Sequence, residues 1–281
     1  MRLGVRAHDF GKLPVEGLAE KISSKGFSSV QLAPGKAIGG IDFDNGSFSP
    51  GLADYIYRAF NKHNIKIAVL GCYINPVHPD PEVRKTQIYR FKEHIRFARD
   101  FGCSIVATET GSLNADFSYN PENHSGKAFE LLLDSLSEMI EEAEKFGVMV
   151  GIEGVSHYTM NNPRKIRRTL EEIASNLLQV VFDPVNLLTI ENFSRQEDII
   201  KESFDLFSDR MVAFHAKDFI IENNKIKVVQ AGEGLFNYDL TLKLLKEKKP
   251  YIDILMENAR IDIMDRGIEF LRSKLIEKFK K

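Results

Sequence analysis

Short apolar runs alternate along the chain with longer segments in which apolar residues recur every three or four positions. The short runs are rich in β-branched residues, and eight of them predict strands at residues 3–6, 29–32, 66–71, 104–108, 148–153, 178–183, 211–215 and 252–257. Nearly continuous apolar character over so few residues is typical of parallel strands that helices cover from outside. The pattern therefore predicts an α/β protein.

The longer segments predict eight helices, one after each strand, at residues 15–25, 50–64, 81–101, 125–146, 163–175, 195–207, 239–248 and 261–280. Several of these segments begin with proline, as at Pro50 and Pro81, or end just before glycine, as at Gly102 and Gly147. Proline suits the first helical turn because its missing N–H would have no partner there, and glycine suits the turn that ends a helix. These positions support the predicted boundaries.

Strands that alternate with helices run parallel, because each helical connection returns the chain to the same end of the sheet. Eight such units in 281 residues have the dimensions of a closed (β/α)8 TIM barrel. An open, doubly wound sheet is the alternative, but residues 6–12 contain one glycine instead of a glycine-rich dinucleotide turn. No linker-like segment divides the chain, so we expect residues 1–281 to form a single barrel domain.

Composition and charge narrow the classes of function. The chain is 43% hydrophobic and 28% charged, with a formal net charge of −2, so it has no overall attraction for nucleic acid or anionic lipid. Its start has no signal-peptide pattern, and no run is long and apolar enough to span a membrane. Two cysteines, Cys72 and Cys103, are too few for a disulfide framework. We therefore expect a cytoplasmic protein with no nucleic-acid or membrane partner.

Four consecutive predicted strands end in a potential metal ligand: Glu153, Asp183, His215 and Glu257. The carboxyl ends of barrel strands meet at one rim, where active sites are built, so these side chains are expected to converge. Three carboxylates in a partly desolvated cavity need a counterion, and a divalent cation supplies one. Three carboxylates and one imidazole suit Mn²⁺, Mg²⁺, Co²⁺ or Zn²⁺. Taken singly, each residue is equally consistent with an ordinary polar strand end.

Other polar residues follow predicted strands and are candidates for binding a substrate. Lys217 lies two residues after His215, so it points the same way if the strand continues, and it would then pair with a ligand carboxylate or contact the substrate. The candidate substrate-binding residues are His8, Tyr73, Glu109, His157, Asn186, Lys217 and Arg260. Arg6, which follows the first strand, is a further candidate. Each of these residues is also consistent with a solvated loop position.

The motifs GIE, FDPVN, FHAKD and MEN at the ends of the fifth to eighth strands, with GEG at residues 232–234, resemble the xylose-isomerase-like barrel superfamily of sugar and sugar-phosphate isomerases and epimerases, including D-tagatose 3-epimerase-type enzymes. The resemblance implies that Glu153, Asp183, His215 and Glu257 bind one divalent metal, most often Mn²⁺, and that Glu153 and Glu257 are also the catalytic acid/base pair. Asn186 departs from the Asp-x-x-His form of the second motif, and it supplies hydrogen bonds only.

The resemblance predicts an isomerase or epimerase that acts on a ketose sugar or its phosphate through an enediolate. A second interpretation is a dehydratase of an inosose or 3-dehydroshikimate, in which the enolate expels a β-hydroxyl group. An apurinic endonuclease is disfavoured, because residues such as Cys72, Thr108 and Lys217 stand where extra histidines would be needed, and a non-catalytic barrel is disfavoured by the complete ligand set. Barrels of this kind often pair, so we also allow for a homo-oligomer.

Overall fold

The computed structural model describes residues 1–276 and shows a closed barrel of eight parallel strands. The strands are β1 (Arg2–Arg6), β2 (Ser29–Leu32), β3 (Lys66–Gly71), β4 (Ile105–Glu109), β5 (Met149–Glu153), β6 (Leu178–Phe182), β7 (Met211–Ala216), β8 (Asp218–Glu222), β9 (Lys225–Val229) and β10 (Asp253–Met256). Around the barrel the strand order is β1, β10, β7, β6, β5, β4, β3, β2, so β10 closes the ring against β1. The predicted (β/α)8 TIM barrel is confirmed.

Helices lie between the barrel strands. They are α1 (Val15–Ser24), α2 (Pro34–Ala37), α3 (Pro50–Asn61), α4 (Pro81–Phe97), α5 (Gly126–Phe146), α6 (Pro163–Ile173), α7 (Gln196–Phe207), α8 (Tyr238–Lys248) and α9 (Met264–Ile276), with short 3-10 helices at Ala7–Phe10, Pro121–His124, Val185–Leu187, Phe193–Arg195 and Ser208–Arg210. The last predicted helix, residues 261–280, begins three residues later than expected, and residues 277–280 lie outside the described part of the chain. None of the described helices is both long and apolar enough to cross a membrane.

Capping side chains fix the starts of α3, α4 and α6, which all begin with proline. Asp80 accepts hydrogen bonds from the backbone N–H groups of Glu82 and Val83 at the start of α4, and Asn162 accepts one from Lys165 at the start of α6. These side chains satisfy N–H groups that have no partner within the helix. The predicted starts at residues 50, 81 and 163 therefore agree with the structure.

Two apolar layers hold the barrel together. The larger layer packs strands against helices, and the smaller one fills the barrel interior with Ala68, Val69, Ala107, Val181, Ala213 and Leu255. Gly151 belongs to the same interior level, because a Cβ there would lie 3.1 Å from Ala107 Cβ and from Val181 Cγ2. Successive strand residues face opposite ways, so residues two positions further along also face inward, at the rim. Glu153, Asp183, His215 and Glu257 each lie two residues beyond such an interior position.

The sequence pattern did not predict the antiparallel hairpin of β8 and β9, which follows β7 at the rim. Asp218 fixes its base by accepting hydrogen bonds from the backbone N–H groups of Phe219, Gly232 and Phe236, at 2.8, 3.1 and 2.8 Å. Gly232 has a φ of 90°, and a Cβ on Gly234 would meet the Asp218 carboxylate at 2.4 Å. The two glycines of the GEG motif therefore allow the loop to pack closely around the Asp218 carboxylate.

Candidate metal centre

Four side chains converge at the carboxyl end of the barrel. Glu153 ends β5, Asp183 follows β6, His215 lies in β7 and Glu257 follows β10, and one ligand atom from each lies within 4.8 Å of the others. His215 Nδ1 is 3.3 Å from Glu153 Oε2, 3.7 Å from Asp183 Oδ2 and 3.1 Å from Glu257 Oε2. Ligands at about 2.0–2.2 Å from one ion lie at most about 4.4 Å apart, so the cluster is close to the size that one cation requires.

The orientation of His215 supports its use as a ligand. Its Nε2 lies 2.7 Å from Gln31 Oε1, which can only accept, so Nε2 carries a hydrogen and donates it. Nδ1 is buried and faces the carboxylates, but it makes no hydrogen bond of normal geometry to any described residue. Buried polar atoms without hydrogen bonds are unfavourable, and an imidazole oriented through its other nitrogen is typical of metal sites. The residues present therefore fit a divalent cation.

Lys217 and Arg6 balance the charge of the carboxylates. Lys217 is buried, and its Nζ lies 2.8 Å from Asp183 Oδ2 and 3.4 Å from Glu257 Oε2. Arg6 Nη1 donates to Glu257 Oε1, and its Nη2 donates to Asn258 Oδ1 at 2.8 Å. The expected pairing of Lys217 with a ligand carboxylate is thus observed, and a solvated lysine at this position is not.

The pKa values of the cluster follow from burial and from these charges. Burial acts to raise the pKa of Glu257, but Lys217, His215 and Arg6 outweigh it and hold this pKa well below its ordinary value. Burial acts to lower the pKa of His215, but Glu153 and Glu257 outweigh it and hold that pKa well above the usual range. The carboxylates therefore create a strong preference for positive charge at the centre of the cluster.

Glu153 is held by a neutral partner. Asn186 Nδ2 donates to Glu153 Oε1 at 2.5 Å, and the Asn186 backbone N–H donates to Asp183 Oδ1 at 3.1 Å. Glu109 pairs in register with Glu153 across β4 and β5, and its pKa is raised to about 7 by burial and then by the Glu153 and Glu257 carboxylates. Asn186 therefore orients Glu153, and Glu109 adds a fourth acid beside the cluster.

The other predicted substrate contacts divide into two groups. Tyr73 and His8 lie near the cluster: their rings are 6.0 Å apart, and the Tyr73 hydroxyl accepts from Gln31 Nε2 at 2.7 Å. His157 and Arg260 are exposed, and in residues 1–276 neither shares a hydrogen bond or an ion pair with the four clustered residues. Arg260 instead pairs with Asp262 at 2.6 Å. A substrate contact by His157 or Arg260 remains a prediction.

Sequence reasoning missed Gln31 and Tyr158. Gln31 is buried in β2, and a polar residue inside an apolar run was the signal that could have pointed to it. Tyr158 is buried, whereas the adjacent His157 is exposed. The pKa of the Tyr158 hydroxyl is raised mainly by burial and further by the negative charges of Glu109 and Glu153. The residue that approaches the cluster is therefore one position away from the one that the sequence favoured.

Comparisons with known proteins agree with this architecture. A curated relative, an uncharacterized protein of Methanocaldococcus jannaschii, is 24% identical over 249 residues, which are 83% of this chain and 80% of that protein. A crystal structure of a D-tagatose 3-epimerase-like protein is 21% identical and has a TM-score of 0.75, covering 98% of this chain and 97% of that one. The probable 3-DHS dehydratase of petrobactin synthesis from Bacillus anthracis is 14% identical, with a TM-score of 0.73 and coverage of 97% and 99%.

These identities are low enough that the likeness to solved structures establishes the fold alone. The family model described as "Xylose isomerase-like TIM barrel" matches residues 19–274, which include all four clustered residues. The chain belongs to the xylose isomerase-like TIM barrel family.

Proposed function

We propose that the protein is a divalent-metal-dependent isomerase or epimerase of a ketose sugar or a sugar phosphate, acting in cytoplasmic carbohydrate metabolism. The observation that carries this proposal is the position of two carboxylates, Glu153 and Glu257, 3.3 and 3.1 Å from the same imidazole nitrogen of His215. Paired carboxylates beside a bound cation are suited to remove a proton from one carbon and return a proton to it. Membership of a family that contains sugar epimerases and isomerases supports the same class.

The donor set of three oxygens and one nitrogen favours Mn²⁺, with Mg²⁺, Co²⁺ and Zn²⁺ as alternatives. A divalent cation held by these residues would act as a Lewis acid that stabilises negative charge on the substrate oxygens. The buried Nδ1 of His215, which faces the carboxylates without a hydrogen bond of normal geometry, supports this use of the cluster.

The proton transfer is assigned to Glu153 and Glu257. One residue, as the carboxylate, takes the proton from the carbon beside the ketone, and the C–H electron pair forms the double bond of an enediolate. The other, as the carboxylic acid, gives a proton to the opposite face of the same carbon and inverts it. β5 and β10 are separated in the barrel by β6 and β7, so the two carboxyl groups approach from different directions. Exchange with solvent then restores both protonation states.

The neighbouring residues hold this pair in place. Asn186 donates to one oxygen of Glu153 and leaves the other facing His215. Arg6 and Lys217 contact different oxygens of Glu257, so its carboxyl plane is fixed from two sides. A fixed carboxyl group loses little entropy when the substrate carbon approaches, which favours proton transfer.

The direct test is solvent-deuterium exchange with Mn²⁺-loaded protein and a panel of ketoses and ketose phosphates in D2O. We expect one deuterium in the recovered sugar and in an epimer or isomer, without loss of water. Recovery of every sugar on the panel without deuterium, from folded and metal-loaded protein, would contradict the proposal.

A dehydratase of an inosose or 3-dehydroshikimate is the second candidate. The half-buried Glu109, which pairs in register with Glu153, and the buried Tyr158 favour it, because expulsion of a β-hydroxyl group as water needs a further proton donor. The likeness to the Bacillus anthracis protein supports the same reading. An enone or aromatic product with its strong ultraviolet absorbance, formed instead of a deuterated sugar, would identify this reaction.

A further inference from the structure

A cavity of about 300 Å³ opens at the rim beside the metal centre, on the side of β2 and β3. Residues that follow these strands form part of its wall, including Lys36 and Tyr73, and Lys12 and Arg90 of α4 also contribute polar groups to the lining. The cavity therefore shares the carboxyl end of the barrel with the four clustered residues. Neither the family relationship nor the proposed proton transfer gives it a role.

The cavity is lined by three cations that lack a carboxylate partner. Lys12, Lys36 and Arg90 have no carboxylate within 4.0 Å among residues 1–276, whereas Lys217 and Arg6 at the same rim are each paired with one. Lys36 lies over the ring of Tyr73, with Nζ 4.0 Å from the ring centroid. Asp42 and Asp44 also line the cavity and are exposed, as are Lys12 and Lys36, but neither carboxylate lies within 4.0 Å of the three cations.

The cations of this region act on one another. Partial burial lowers the pKa of Lys36, Glu109 opposes this change, and Arg6 and Arg90 lower the pKa further. Like charges brought together without a counterion are unfavourable, and an anion placed among them removes that cost. Lys36 and Arg90 are also well suited to an oxyanion, since both are donors only.

Tyr73 connects the cavity to the metal centre. Lys36 lies over the Tyr73 ring on the cavity side. The Tyr73 hydroxyl accepts a hydrogen bond from the Gln31 amide nitrogen, and the Gln31 carbonyl oxygen accepts one from His215 Nε2. A substrate whose reacting carbon lies between Glu153 and Glu257 would therefore reach the cavity with its far end by passing Tyr73. Such a substrate is longer than the reacting carbons alone, as a pentose or hexose derivative is.

We propose that this cavity binds an anionic group, a phosphate or a carboxylate, at the end of the substrate farthest from the reacting carbon, with Lys36 and Arg90 as its principal partners. This inference rests on the proposed action on a ketose. It assigns the substrate to the phosphorylated or acidic sugars and leaves the neutral sugars as poor ligands.

The test is isothermal titration of the Mn²⁺-loaded protein with three matched ligands: a ketohexose, its 6-phosphate and its 6-carboxylate. We expect one of the two charged forms to bind about 10- to 100-fold more tightly than the neutral sugar, which is the gain typical of charge-assisted hydrogen bonds. The form that gains more identifies the anion. Lys36→Met and Arg90→Met should each abolish most of that gain and leave binding of the neutral sugar unchanged.

Lys85→Met is the matched control, since Lys85 is exposed on α4 and does not line the cavity. Melting temperatures of all variants check that they fold. Equal affinities for the three ligands, or a charged-ligand preference that survives both substitutions, would overturn the proposal. Deuterium exchange separates it from the proposed function: tight, Lys36-dependent binding without exchange contradicts only the epimerase, and equally fast exchange into neutral and charged sugars contradicts only the anion site.

Discussion

The two halves of the barrel mouth satisfy their charges in different ways. In the acidic half, formed by Glu153, Asp183, His215 and Glu257, each carboxylate lies within 4.0 Å of a basic nitrogen and all four side chains are buried. In the cationic half, formed by Lys12, Lys36 and Arg90, the positive groups line an open cavity and have no carboxylate that close in the described chain.

This comparison shows in which half the charges are compensated by residues of the chain itself, without a substrate. In the acidic half, the chain's own cations Lys217 and Arg6 lie against the carboxylates. In the cationic half, no carboxylate lies within 4.0 Å of the three cations, so this half is expected to bind a ligand that supplies negative charge. The reaction and the selection of the substrate are therefore expected to reside on opposite sides of one mouth.

The largest expected effect comes from the acidic half. Glu153→Gln should lower the rate of epimerisation by about 10²- to 10⁴-fold, because the amide keeps an oxygen ligand but cannot exchange the proton. The measurement is kcat and deuterium incorporation with the sugar identified above. Glu130→Gln, on the exposed face of α5, is the control and should leave both unchanged. A Glu153→Gln protein with full activity would remove this residue from the acid/base pair.

Asp218→Ala should weaken the loop beside Lys217. The substitution leaves the backbone N–H groups of Phe219, Gly232 and Phe236 without their acceptor, which should reduce the free energy of unfolding by about 2–4 kcal/mol. Urea denaturation measures this change. Asp134→Ala on the surface of α5 should change it by less than about 0.5 kcal/mol. Equal stability of the two variants would show that the loop does not depend on Asp218.

His94 makes the cationic half sensitive to acid. It lines the cavity, and burial lowers its pKa to about 4 against an ordinary value of 6.5, although its bond to the Arg90 carbonyl opposes the shift. Between pH 6.5 and pH 4, His94 is protonated in the unfolded chain but not in the folded protein. The free energy of unfolding is therefore highest above pH 6.5 and falls as the pH drops toward 4. The loss should approach about 3 kcal/mol.

The His94 contribution is isolated by substitution. Unfolding free energies of the wild-type protein and of His94→Gln, measured between pH 7.5 and pH 4, should converge as the pH falls, because the variant lacks this titration. Burial also lowers the pKa of His8, to about 3. Its contribution is the same in both proteins, so it cancels when the two unfolding curves are subtracted. Ser137→Ala, on the exposed face of α5, replaces a side chain that does not titrate in this range and should keep the wild-type slope. Parallel curves for wild type and His94→Gln would contradict the assignment.

The smallest effect should come from Gln31, which joins the two halves. Gln31→Leu removes the acceptor that keeps the hydrogen of His215 on Nε2, and it should weaken Mn²⁺ binding by about 10- to 100-fold. Titration with Mn²⁺ measures this affinity. Gln179→Leu, a buried glutamine of β6 that bonds the Asn176 carbonyl, is the control and should bind the ion normally. Equal affinities would mean that packing alone orients His215.

The acidic half could be predicted from the sequence because its ligands follow the strand pattern. Each of the four residues ends an apolar run, and the βα repeat places such ends on one rim whatever the details of packing. The pairing of Lys217 with a ligand carboxylate followed from the same alternation. The roles of Glu153 and Glu257 in proton transfer remain predictions.

The cationic half could not be predicted in the same way. Lys12, Lys36 and Arg90 lie on a loop, on the four-residue α2 and on α4, which are far apart in the sequence and carry no shared motif. His157 and Tyr158 are a second case that the sequence pattern could not predict. They are adjacent in one loop, yet His157 is exposed and Tyr158 is buried because of the local backbone geometry. Loop conformations depend on contacts that no single repeat contains.

The sequence by itself determined the barrel and the four residues that cluster at its rim, because hydrophobic periodicity selects the strands and the repeat aligns their ends. Only the tertiary structure decided which nitrogen of His215 faces the carboxylates, that Asn186 and Gln31 hold Glu153 and His215 in place, and that cations without a carboxylate partner gather beside Tyr73. The physical reason is range: alternation along a strand is a local property, whereas hydrogen-bond direction and charge pairing depend on side chains brought together from distant positions.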